Sequence, residues 1–97
     1  MKSLYYIVPR QKLVLIACER LQYSRTPPRL FSPSTARLEF VINTSDYIKY
    51  IHNMDFMVID DNQEILGRFG YFDVIWARII EHTDSTSEIR MEYSRVH

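Results

Sequence analysis

The chain has 97 residues, of which 46% are hydrophobic and 25% are charged, and its formal net charge at pH 7 is zero. This length supports one hydrophobic core, and the apolar content excludes a disordered chain. The two glycines, Gly67 and Gly70, are too few for the glycine-rich loops that bind nucleotide phosphates. We therefore expect residues 1–97 to form a single folded domain.

The N-terminal part of the sequence predicts a β-hairpin followed by a long loop. Residues 3–8 and 12–18 are rich in aliphatic and aromatic residues, which favours two strands. Residues 22–36 are rich in Ser, Thr, Arg and Pro, and their three prolines disfavour both a helix and a central strand. We expect a loop over 22–36. Leu30 and Phe31 either anchor this loop to the core, which we favour, or reach a partner.

The remainder of the sequence predicts strands that alternate with two amphipathic helices. The second helix is indicated by Phe72, Ile75, Trp76, Ile79 and Ile80, which recur at spacings of three and four residues. The expected elements are, in order, a strand over 37–42, a helix that begins at Asn43 or Thr44 and reaches Met54, a hairpin formed by 56–60 and 64–69, a helix over 72–82, and a strand over 88–94.

The predicted order is ββ, loop, βαββαβ, so the expected fold class is α+β. The last six elements follow the order of the ferredoxin-like fold, in which two helices cover one face of an antiparallel sheet. The N-terminal β-hairpin would extend this sheet at an edge. We expect the apolar residues on the inner side of the elements to be almost fully buried, namely Leu15, Ile16, Phe40, Val58, Ile75 and Ile79.

No pattern of residues in the sequence indicates an active site or a metal site. The three histidines have no second His, Cys or Glu at ligand spacing, and no nucleophile motif surrounds a serine or Cys18. Cys18 ends the longest apolar run, which is six residues and too short to span a membrane, so we expect Cys18 to be a buried core residue. We predict a cytoplasmic, non-enzymatic protein without a cofactor, a metal or membrane contact.

Charge is distributed unevenly along the chain. Residues 1–38 contain seven basic residues and one acid, whereas residues 39–97 contain five basic residues and eleven acids. Either this asymmetry marks a charged partner surface, or the two halves neutralise each other in the folded domain. The acids of the second half form two clusters, one around the predicted 56–69 hairpin and one around the last helix and strand: Asp55, Asp60, Asp61 and Glu64, and Glu81, Asp84, Glu88 and Glu92.

These acidic clusters give our leading hypothesis, a protein-binding inhibitor or adaptor. Acidic patches on a small rigid domain can occupy the basic groove of a larger protein or nucleoprotein complex, as nucleic-acid mimics do. A small, locally acidic chain without catalytic motifs is similar in character to phage- or plasmid-encoded anti-defence proteins, including anti-CRISPR and anti-restriction proteins. The resemblance implies that the acids block a nucleic-acid-binding surface. We expect replacement of Asp60 and Asp61 by lysine to weaken partner binding well beyond any loss of fold stability.

The alternative hypothesis is a domain that binds single-stranded nucleic acid. Residues 39–43 and 68–72 weakly resemble the two strand signatures of the RNA-recognition motif, although the second segment lacks the glycine after its basic residue. We therefore interpret their aromatic residues as core. A nucleic-acid site would instead use the basic residues of the N-terminal segment and the loop, which are Arg10, Lys12, Arg20, Arg25, Arg29 and Arg37.

Overall fold

The computed structural model describes residues 1–8, 12–31, 34–50 and 55–94, and within these ranges the chain forms eight β-strands and one short α-helix. The elements are β1 (Ser3–Val8), β2 (Lys12–Ile16), β3 (Cys18–Thr26), β4 (Thr35–Asn43), α1 (Thr44–Tyr50), β5 (Phe56–Ile59), β6 (Ile65–Phe69), β7 (Val74–His82) and β8 (Thr86–Ser94). A 3-10 turn at Tyr71–Asp73 precedes β7. No helix in the described ranges has the length and apolar content needed to cross a membrane.

The strands form two antiparallel sheets of four strands each. The first sheet has the order β2-β1-β5-β6, and the second has the order β3-β4-β8-β7. The predicted ferredoxin-like α+β fold, with one sheet and two helices on one face, is therefore wrong. The described chain is mainly β, because the segment expected to form the second helix is a strand. The residues 12–18, expected to form one strand, are divided between β2 of the first sheet and the start of β3 in the second.

The two sheets pack face to face and share one hydrophobic core. On β4 and β8 every second residue points inward, and the register pairs Leu38 with Met91 and Phe40 with Ile89. Aromatic rings connect the sheets across this core: Phe40 lies 6.4 Å from Phe56 and Phe69 lies 4.7 Å from Tyr93, measured between ring centroids. This arrangement leaves one outer face on each sheet, where the functional candidates lie.

The helix α1 links the second sheet to the first and closes one side of the core. It begins at Thr44, as predicted, and the Thr44 hydroxyl donates a hydrogen bond to the Thr83 carbonyl oxygen at 3.0 Å. At the other end, the ring of Tyr50 packs 4.7 Å from the ring of Tyr6. Residues 51–54, into which the predicted helix extends, lie outside the described residues.

The predicted helix over 72–82 is wrong because two β-bulges give β7 a helix-like hydrophobic pattern. The register of β7 against β8 shifts between Val74 and Trp76 and between Ile79 and Glu81, which leaves Ile75 and Ile80 as extra residues. Val74, Ala77 and Ile79 pack against the core, and the His82 ring contacts the buried Ser87 hydroxyl. The two extra residues, together with Phe72, Trp76 and Ile79, produced the helix-like spacing, although of these five only Ile79 packs against the core.

The predicted loop over 22–36 is longer than the segment that actually connects β3 and β4. β3 continues to Thr26 and β4 begins at Thr35, so only the segment between these strands lies outside the second sheet. Leu30 and Phe31 are almost fully exposed, which contradicts the expectation that they anchor the segment to the core. Pro27 and Pro28 follow directly after β3, consistent with proline ending a strand.

The predicted core is half correct. Ile16, Phe40 and Val58 are buried as expected, whereas Leu15 is 59% exposed and Ile75 is 50% exposed. Ile79 is partly buried against the core. Leu15 lies on the outer face of the first sheet, because its neighbours Val14 and Ile16 are the residues of β2 that point inward.

Candidate functional site

The outer face of the second sheet is built from the residues of β4 and its neighbours that alternate with the core. Because Ala36, Leu38, Phe40 and Ile42 point inward, Arg37, Glu39 and Val41 point outward. The strand register extends these three positions into three rows across the sheet. The rows are Ser24, Arg37, Glu92 and Trp76; Gln22, Glu39, Arg90 and Arg78; and Glu19, Val41, Glu88 and Glu81.

The first row is neutralised internally, and the second row contains one ion pair and one further base, Arg78, which faces Arg90. Arg37 Nη2 lies 3.3 Å from Glu92 Oε1, and Arg90 Nε lies 3.0 Å from Glu39 Oε1. The indole Nε1 of Trp76 donates a second hydrogen bond to Glu92 Oε2 at 3.0 Å. Both oxygens of Glu92 are thus engaged within the sheet. The predicted partner-binding residue Glu92 therefore holds strands β4, β8 and β7 together, and its carboxylate is not free for a partner.

The third row carries three acids and no base, and we call Glu19, Glu88 and Glu81 the acidic row. Glu88 faces Glu81 directly across the β7–β8 pair, while Glu19 and Glu88 flank the buried Val41 from either side. Neighbouring strands are about 4.8 Å apart, so the acidic row spans roughly 15 Å. Among the described residues, none of these three carboxylates forms an ion pair.

Asp84 lies beside the acidic row, at the turn between β7 and β8. This turn is fixed by the Thr83 hydroxyl, which accepts hydrogen bonds from the backbone N–H groups of Ser85 and Thr86 at 3.3 and 2.9 Å. The exposed Asp84 side chain is held on a defined turn. The structure therefore brings together Glu81, Asp84 and Glu88 of the predicted second acidic cluster, and it adds Glu19.

The predicted first acidic cluster divides into residues with different roles. In the turn between β5 and β6, Asp60 Oδ1 accepts hydrogen bonds from the backbone N–H groups of Asn62 and Glu64, at 2.9 and 3.0 Å. Asp61 forms an ion pair with the amino group of Met1. Asp60 therefore builds the turn, whereas the side chain of Glu64 is exposed.

Asp55 lies apart from that turn, in a cleft of about 590 Å³ at one end of the two sheets. Arg25, Arg68 and Asp73 also line this cleft, so it carries charges of both signs. Beside it, the pKa of the buried Tyr93 hydroxyl is raised, mainly because burial disfavours the phenolate and further because Asp55 and Asp73 repel it. Asp55 is thus separated from the other predicted acids and belongs to a mixed-charge environment.

The predicted basic residues do not converge on one described surface. Lys12 begins the edge strand of the first sheet, Arg25 lines the end cleft, and Arg37 is paired with Glu92 on the second sheet. Arg20 has a left-handed backbone, with φ of 53°, at the β-bulge of β3. Arg29 is exposed in the segment after β3, and Arg10 lies outside the described residues.

Glu19 is the acid that sequence reasoning missed. It is the single acid of the basic N-terminal part, and only the register of β3 against β4 places it beside acids that follow much later in the chain. Within the described residues, no group of three or more His, Cys, Asp or Glu side chains could hold a metal ion. Comparison with known proteins gave no match to a protein-family model, a curated protein or a solved structure.

Proposed function

We propose that this protein is a non-enzymatic binding protein that docks on a basic surface of a larger protein or nucleoprotein complex through the acidic row. One observation carries the proposal. Of the three rows on the same outer face, the first two each contain an Arg–Glu ion pair, whereas the third holds three acids and no base, with Glu88 directly against Glu81 and Glu19 two strands away. Like charges that face each other across a strand pair destabilise a sheet, so a partner that supplies cations relieves a cost that the free protein carries.

The geometry of the acidic row suits a partner groove that normally holds nucleic acid. The carboxylates are spaced along a rigid sheet, and Asp84 extends the negative surface at the adjoining turn. Carboxylates at the edge of an interface mainly raise the association rate, whereas a carboxylate that is desolvated against Arg or Lys contributes affinity. Within this proposal the protein acts as an inhibitor or adaptor that excludes nucleic acid from its partner, as an anti-defence protein of a phage or plasmid would.

The test compares two double variants that change charge equally. Glu19→Lys with Glu81→Lys reverses the two exposed ends of the acidic row, while Asp61→Lys with Glu64→Lys reverses two exposed acids at the β5–β6 turn of the other sheet. The wild-type protein first captures its partner from the native host, and the purified partner is then titrated with all three proteins. We expect the acidic-row variant to bind at least tenfold more weakly, and the turn variant to bind as the wild-type protein does.

The same variants separate binding from folding. Lysine at position 81 faces Glu88, so we expect the acidic-row variant to be as stable as the wild-type protein or slightly more stable. In a competition assay, a nucleic-acid ligand of the partner should displace the wild-type protein. Equal affinity of the wild-type protein and the acidic-row variant would contradict the proposal, as would a shifted band when the protein alone is mixed with nucleic acid at low salt.

A further inference from the structure

Three of the four sheet edges carry a β-bulge, and the fourth does not. The register shifts between Glu19 and Gln22 on β3, at Leu66 on β6, and twice on β7. By contrast, β2 pairs with β1 through five consecutive residues, from Lys12 opposite Val8 to Ile16 opposite Leu4. Bulges twist an edge strand so that another chain cannot add to it. Among the described edge strands, β2 alone pairs without a bulge over its whole length; β3 pairs without a break only from Gln22 to Thr26, beyond its bulge.

The side chains of β2 make this edge apolar. Val14 and Ile16 point into the core, which leaves Leu13 and Leu15 on the outer face of the first sheet. Leu15 is 59% exposed, although it lies in the middle of a regular strand. Ile7 and Met57 are buried on the same outer face, outside the main core cluster, so the face next to β2 is also apolar. Leu13 and Leu15 therefore expose apolar surface beside an edge that no described strand covers.

We infer that a second copy of this chain covers the edge, by antiparallel pairing of β2 with β2 around a two-fold axis at Val14. In this register Leu13 of each copy lies opposite Leu15 of the other, which gives two apolar cross-strand pairs. Lys12 is the one charged residue of β2 and lies opposite Ile16, so the two lysines are separated by roughly 13 Å along the strands. Two copies of β2 are therefore complementary, because their leucines contact each other and their lysines stay apart.

The resulting assembly joins the two first sheets into one eight-stranded sheet. Both acidic rows remain accessible, because they lie on the outer faces of the second sheets. A five-residue strand pair is smaller than a standard interface, so we expect a dissociation constant on the order of 10–100 µM. The dimer goes beyond the proposed function, since it uses the other sheet and a different kind of contact.

The experiment is sedimentation equilibrium of the full chain from about 5 µM to about 1 mM. Leu15→Lys is the test variant, and Ile65→Lys is its matched control. Ile65 is 61% exposed on β6, at the bulged edge of the same sheet, so the two substitutions place one lysine at equal exposure on opposite edges. We expect the wild-type protein and Ile65→Lys to dimerise equally, and Leu15→Lys to weaken dimerisation at least tenfold.

Amide hydrogen exchange gives a second readout that does not depend on a variant. Dimerisation should slow exchange of the outward amides of β2 as the protein concentration rises, while the amides of β7 should exchange at a constant rate. A wild-type protein that stays monomeric at 1 mM would overturn the inference. An equal loss of association in Leu15→Lys and Ile65→Lys would also overturn it, because stacking of the outer faces would then explain the dimer better than edge pairing.

Discussion

Substitution of Gly67 by alanine should destabilise the protein much more than the same substitution at Gly70. Gly67 lies on β6 and faces the core, where a Cβ atom would lie 2.5 Å from Phe69 Cζ and 2.8 Å from Tyr23 Oη. Phe69 is buried against Tyr93, so its ring has little room to move. A Cβ atom on Gly70 would instead meet side-chain oxygens at 3.3 Å or more. Both glycines have negative φ angles, so the backbone itself accepts alanine.

Three contributions determine how much unfolding free energy Gly67→Ala should remove. Overpacking a core costs about 1–3 kcal/mol. Displacing Tyr23 breaks the hydrogen bond that its hydroxyl donates to the Leu66 carbonyl oxygen at 3.1 Å, which contributes about 1 kcal/mol. The lower entropy of the unfolded alanine chain offsets about 0.4–1 kcal/mol of this loss. The net expectation is a loss of about 2 kcal/mol of unfolding free energy for Gly67→Ala, and a change within about 1 kcal/mol for Gly70→Ala.

Urea unfolding of both alanine variants, in the wild-type and Tyr23→Phe backgrounds, measures these values. A loss of about 2 kcal/mol corresponds to a melting temperature lower by roughly 8–16 °C in a domain of this size. Removing the Tyr23 hydroxyl clears one of the two close contacts, so Gly67→Ala should cost less in the Tyr23→Phe background. Equal stability of Gly67→Ala and Gly70→Ala would refute the packing described between β6 and β3.

Three further predictions concern the turn, the β7 bulge and the cysteine. Asp60→Ala should lower the unfolding free energy by about 1–2 kcal/mol, because two backbone N–H groups lose their acceptor, whereas Asp61→Ala should change it by less than about 0.5 kcal/mol in the same urea titration. Leu38→Ala should lower the unfolding free energy by about 2–5 kcal/mol, whereas Ile75→Ala, at a half-exposed position, should lower it by about 1 kcal/mol or less. Equal losses would show that Ile75 is a core residue. Burial raises the pKa of the Cys18 thiol to about 11, so the unfolding free energy should fall as the pH rises from about 9 toward 11, where the unfolded thiol ionises first, and Cys18→Ala should remove that part of the pH dependence.

Local patterns in the sequence predicted β4, β5, β6 and β8 as strands. The segment 37–42, the hairpin over 56–69 and the segment 88–94 lie within β4, β5 with β6, and β8, where polar and apolar residues alternate or turn-forming residues separate two apolar runs. β7 was assigned to a helix because its two bulges shift the alternation, and a bulge depends on the partner strand. The division into two sheets was likewise not predictable, because it depends on pairing between distant segments.

The sequence indicated most of the acids of the candidate site, but it did not indicate how they are arranged. Glu81 and Glu88 belong to a cluster that is visible as a local excess of acids, and the structure places them opposite each other. Glu92 belongs to the same excess, yet Arg37 and Trp76 engage its carboxylate. Which acid is paired depends on the cross-strand register, and the register is fixed by the whole sheet.

The pairing of β4 with β8 also determines the order in which the molecule can assemble. β1 and β2 are neighbours in the sequence, so their hairpin can close within microseconds once both strands exist. Between β4 and β8, Thr35 pairs with Ser94 and Asn43 pairs with Thr86, so more than 40 residues separate the partners throughout this strand pair. Contacts of this range are slow to form because the intervening chain must first lose its freedom. During synthesis the edge of β4 that pairs with β8 therefore stays open until β8 has left the ribosome, and an unpaired strand edge makes the chain prone to aggregate in this interval.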